Sequence, residues 1–67
     1  MREYVKEPYT GRVLGYFEEQ SASNRIECRD AAGTRLAYYD KTADATYEPN
    51  GKLVSRGNVL ASFLVHR

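Results

Sequence analysis

Sixty-seven residues with ten Lys/Arg against nine Asp/Glu give one domain of formal charge +1. The two signs are interspersed, which excludes the clustered positive charge that a sequence-independent grip on phosphate requires. Cys28 is the only cysteine, so no internal disulfide can form, and the cysteine and histidine pairs of a structural zinc site are missing.

A domain of this size buries only about 60% of the surface that its unfolded chain exposes, so its core is thin and a homodimer is expected. The longest strictly apolar run, Phe63-Leu64-Val65, is far short of a membrane span. Met1 is followed directly by Arg2-Glu3-Tyr4, without a basic-then-apolar leader, and with a free thiol this predicts a cytoplasmic protein.

In chain order, Arg2 to Glu7 alternates, with Tyr4 and Lys6 on one side and Val5 on the other. Pro8-Tyr9-Thr10-Gly11 predicts a reversal, after which Arg12-Val13-Leu14-Gly15-Tyr16 can pair back. Glu18 to Asn24 is polar, lacks apolar periodicity and reads as a loop. Arg25-Ile26-Glu27-Cys28-Arg29 alternates with Ile26 and Cys28 facing one way. Asp30-Ala31-Ala32-Gly33 predicts a second reversal before Thr34-Arg35-Leu36-Ala37-Tyr38. A second loop over Asp40 to Asp44 leads to the short strand Ala45-Thr46-Tyr47. Glu48-Pro49-Asn50-Gly51 is the third reversal, before Lys52-Leu53-Val54-Ser55-Arg56.

Three copies of one phrase are visible in that order. Three residues after each turn glycine stand Leu14, Leu36 and Val54; four after, the small residues Gly15, Ala37 and Ser55. The chain therefore divides into hairpin repeats at about 2–17, 25–39 and 45–56. After Gly57, Asn58 is suited to cap a helix, and Val59, Leu60, Phe63 and Leu64 recur on one helical face to about Val65. So short a helix is marginal alone and must dock. The expected fold is α+β and mainly β: an antiparallel meander of three hairpins, with a C-terminal helix at about 58–65 packed on one face.

Few residues offer chemistry. His66 stands one residue from the end, a poor place to hold a general base. Arg25 and Arg29 near Cys28 could activate its thiol, but the alternation turns Cys28 inward with Ile26. Asp40-Lys41-Thr42-Ala43-Asp44 spaces oxygens like the start of a calcium loop, without the glycine and distal acid that such a loop needs. Glu18 and Glu19 are adjacent and cannot face each other as a hydrolytic pair. No catalytic residue, metal site or cofactor is predicted.

The aromatic residues carry more. Neighbours Tyr16/Phe17 and Tyr38/Tyr39 must point to opposite faces, so one ring of each pair is left for a surface. Tyrosine beside arginine suits recognition of another protein. With Arg12, Arg25, Arg29, Arg35 and Arg56, the same rings could alternatively stack bases of single-stranded nucleic acid.

The pattern Gly11-Arg-Val-Leu-Gly-Tyr16, Asp30-Ala-Ala-Gly33 with Tyr38-Tyr39-Asp40, Thr46 before Gly51, and Gly57-Asn58-Val59-Leu60 resembles small proteins encoded on bacterial plasmids, integrative elements and prophages. Ala37 departs from the second glycine of that pattern, and Ser55-Arg56 replaces the Gly-Tyr of the first copy. In size and style the chain is similar to anti-CRISPR proteins, which block a host defence complex by binding it. That resemblance implies a non-enzymatic inhibitor contacting a host protein or ribonucleoprotein complex through Tyr16, Glu18, Glu19, Tyr39, Asp40 and Asp44. The alternative is a small nucleic-acid-binding or regulatory module.

Overall fold

The computed structural model describes residues 2–20 and 22–65. Within it Gly11, Gly33 and Gly51 adopt φ of +73°, +91° and +95°, a backbone region that residues with a Cβ avoid. Each glycine N–H donates back across its turn, to the carbonyls of Glu7 (2.9 Å), Asp30 (2.9 Å) and Glu48 (2.8 Å). Those three residues in turn donate to the carbonyls of Arg12, Thr34 and Lys52. The second and third turns are three-residue loops ending on a left-handed glycine, and the first carries one residue more.

The strands joined by these and two further reversals are β1 (Arg2–Lys6), β2 (Val13–Gln20), β3 (Arg25–Asp30), β4 (Arg35–Asp40), β5 (Ala45–Tyr47) and β6 (Leu53–Arg56). They form one open antiparallel sheet of six strands in chain order, a meander with β1 and β6 as its edges. A single helical turn, α1 (Ser62–Val65), follows.

The register passes over one residue in three places: Leu14 between β1 and β2, Leu36 between β3 and β4, and Val54 between β5 and β6. These are the residues three positions after the turn glycines. A bulge re-aims a side chain, and Leu14 and Leu36 accordingly pack against the core. That core consists of Cys28, Ala37, Leu60 and Leu64, all buried, with Val5, Phe17, Ile26, Tyr39 and Phe63 half-buried around them.

Two sequence expectations need correction. Glu18 and Glu19 do not open a loop; they lie in β2, because Arg2 of β1 and Glu27 of β3 stand opposite Glu18 and Ile26 stands opposite Glu19. The reversal comes later and ends on Asn24 at φ +57°, a left-handed position that asparagine tolerates.

The helix is also shorter than the predicted 58–65. Asn58 Oδ1 does accept from the Leu60 N–H (3.1 Å), as a cap would. However, the amides of Ser62, Phe63 and Leu64 bond to carbonyls three residues back, those of Val59, Leu60 and Ala61, the tighter 3₁₀ pattern. Thr46, itself buried, explains the late start. Its hydroxyl donates to the Gly57 carbonyl (2.8 Å) and accepts from the Val59 N–H (3.1 Å), tying 57–59 to the sheet.

Candidate binding surface

Strand pairing assigns side chains to two faces. Val5, Gly15, Phe17, Cys28, Ile26, Ala37, Tyr39 and Thr46 are linked through register to one side, the side that carries Leu60 and Leu64. Tyr4, Tyr16, Glu27, Tyr38 and Tyr47 are linked to the other, together with Arg2 and Glu18. Outside the bulges at Leu14, Leu36 and Val54, alternation makes this division strict: a residue's neighbour in the chain serves the opposite face.

On the second face the rings and guanidinium groups are organised. Tyr4 and Tyr16 are cross-strand partners with centroids 5.6 Å apart. The Arg2 guanidinium lies 4.4 Å from the Tyr16 ring centre. Tyr38 and Tyr47 pair across β4 and β5 and stack at 5.4 Å. Arg25 covers the Tyr38 ring at 4.5 Å. Such cation–π contacts hold a guanidinium against the sheet; the N–H groups of Arg2 are in turn engaged by Glu18 and the Tyr4 hydroxyl.

Between these two aromatic pairs stands Glu27, nearly buried. Arg29 Nη2 lies 2.9 Å from its Oε1 and Arg35 Nε 3.5 Å from its Oε2. Arg29 also donates to the Gly33 carbonyl (3.0 Å), which ties the pair to the second turn. A carboxylate with two guanidinium partners is tolerable at such low exposure, where an unpaired charge would be costly.

The residues singled out from the sequence do not form one cluster. Tyr16 and Glu18 lie on the tyrosine face, where Glu18 accepts from Arg2 Nε at 2.8 Å. That hydrogen bond holds the Glu18 carboxyl below the usual carboxylate range. Glu19 is on the opposite face, paired with Lys41, and its hydrogen bond from Lys41 likewise lowers its pKa. Tyr39 packs against the core and donates its hydroxyl to Asp44 Oδ1 at 2.6 Å; this bond, then burial, raises the phenol. Asp40 Oδ1 accepts from the Thr42 and Ala43 amides, at 2.9 and 3.2 Å. Asp40 and Asp44 thus organise a turn.

Arg2 was not singled out from the sequence. The place of Glu27 follows from the alternation: once Ile26 and Cys28 face the core, the residue between them must face away. Elsewhere Cys28 is buried, its thiol 3.7 Å from the Leu60 carbonyl. Among the described residues no group of His, Cys, Asp or Glu could hold a metal ion, and no helix is long and apolar enough to cross a membrane. His66 lies outside the described residues.

Comparison with protein-family models, with curated proteins and with solved structures yields no match to this chain.

Proposed function

We propose that this chain is a non-enzymatic binding protein: three copies of one hairpin present a tyrosine–arginine face, and the docked C-terminal helix closes the other. The partner is a protein surface of a larger host complex, and the consequence of binding is inhibition by occlusion. A CRISPR effector complex is the target to which the sequence resemblance points.

One observation carries the choice of a protein over a nucleic-acid strand. The rings that could stack bases are already engaged, Tyr16 by Arg2, Tyr38 by both Arg25 and Tyr47. Meanwhile Arg2, Arg29 and Arg35 are paired with Glu18 or Glu27, so their charge is largely cancelled where phosphates would need it. A surface of rigid phenols and pre-oriented guanidinium groups suits the aromatic and arginine anchors that dominate protein interfaces.

The test is a pull-down against assembled CRISPR effector complexes beside a gel-shift salt series with single strands. Retention by an effector, lost in Tyr38→Ala and Arg25→Ala while the fold persists, is the expected result. Strand binding that weakens steeply with salt, without effector retention, reverses the assignment.

A further inference from the structure

We infer that the β6 edge of the sheet is a second docking element, which accepts an extended segment of a partner protein as an added antiparallel strand, apolar in its middle and acidic at both ends. This does not depend on the tyrosine face being functional.

The two edges of the sheet are unlike. β1 is guarded along its length by Arg2, Glu3 and Lys6, all exposed. In β6 the consecutive residues Leu53 and Val54 are exposed to 53% and 41%, and Arg56 is its only charge. Natural edges are blunted by charge, shortness or a bulge; β6 is short and carries the Val54 bulge, yet it leaves two adjacent aliphatic side chains uncovered. The backbone is also open: Gly57 N–H donates to the Asp44 carbonyl at 2.7 Å. By the alternation of the antiparallel ladder, Arg56, one residue earlier, turns its peptide N–H away from β5.

Charge identifies the occupant. Arg2, Arg12, Arg29, Arg35 and Lys41 all have carboxylate partners within the chain. Lys52 and Arg56, which bracket Leu53 and Val54, have none among the described residues, a property shared by Lys6 at the end of β1 and by Arg25, which lies over Tyr38. At ~3.3 Å per residue they sit roughly 13 Å apart along the edge. By register Leu53 and Arg56 share the tyrosine face, while the Val54 bulge leaves Lys52 on the other; an incoming strand with acids about three residues apart, one on each face, would meet both and lay apolar side chains beside Leu53. That residue is opposite Tyr47, so the added strand would continue the tyrosine face. A second copy of the chain fits less well, because its own β6 edge would bring only a further Lys52 and Arg56 and no carboxylate to meet these two cations.

The experiment selects a displayed library of random ten-residue peptides on the full chain and maps the selected peptide by amide exchange. The expected consensus is Val/Ile-rich with Asp or Glu at both ends, protecting the Arg56 amide. Binding should weaken about tenfold in Lys52→Glu/Arg56→Glu, from two lost charge contacts, and that variant should select basic flanks instead. Methylating alternate peptide nitrogens should abolish binding. No consensus, an acidic consensus that survives charge reversal, protection away from β6, or a chain dimer that protects the β6 amides would each overturn the inference. Loss of effector binding in Tyr38→Ala leaves these readouts unchanged, so the two proposals fail separately.

Discussion

Gly15 and Leu64 are packed so closely that a Cβ on Gly15 would lie 2.6 Å from Leu64 Cδ2, and it would also collide with the Arg29 carbonyl oxygen. Backbone on one side and a buried side chain on the other leave no room to yield. Gly15→Ala should therefore destabilise the fold by about 1–3 kcal/mol, as overpacked cores do. Urea denaturation measures the loss; a loss no larger than a few tenths would show that the C-terminal turn does not press on β2.

Thr46→Val keeps the shape of a buried side chain but strands the Gly57 carbonyl and the Val59 N–H, which now share its hydroxyl. The expected cost is about 1–3 kcal/mol, with faster exchange of the Val59 amide. Thr46→Ser, which keeps the oxygen, should lose less and leave that amide protected.

Within the C-terminal segment Leu60 and Leu64 are each 1% exposed, whereas Phe63 is only half-buried. Leu60→Ala and Leu64→Ala should each cost about 2–5 kcal/mol. Phe63→Ala should cost less than either, despite its larger ring. Chemical denaturation of the three variants gives the order directly.

Acid should weaken the fold through two surface pairs. Glu18 beside Arg2 and Glu19 beside Lys41 have folded pKa values below the ordinary 4.5. Their contribution is present above that value and is lost as the pH falls through the lower folded values. Tyr39 has the opposite sign: its pKa is raised above 10.0, so the stability from its bond to Asp44 is present below pH 10.0 and fades as the pH rises through the folded value. Denaturation midpoints should fall at both ends of the range. Arg2→Ala should flatten the acid limb and Tyr39→Phe the alkaline one, and added salt should shrink the acid effect because both pairs are partly exposed to solvent.

Tyr38 and Tyr39, adjacent in the chain, should separate binding from folding. Tyr38→Ala removes a ring stacked on Tyr47 under Arg25, on the face proposed to bind. Tyr39→Ala removes a ring that packs on the core. The first should cost the larger share of partner binding and the second the larger share of thermal stability, read by pull-down and melting temperature respectively.

By itself the sequence determined the local events. Turn chemistry at Gly11, Gly33 and Gly51 placed the three glycine reversals, and period-two alternation identified the inward pair Ile26 and Cys28. Both depend on residues within a few positions of one another. Tertiary structure decided everything that needed a partner from afar. Pairing with Arg2, Glu27 and Ile26 extended β2 through Glu18 and Glu19, where polarity alone predicted a loop. Thr46 delayed the helix that Asn58 was placed to begin. Register across β2, β3 and β4 carried the parity of Ile26 and Cys28 to the neighbouring strands, and with it set Tyr39 on the core side and Tyr16 and Tyr38 on the other. Alternation says only that neighbours in one strand part; which residues of different strands share a face is decided by how the strands pair.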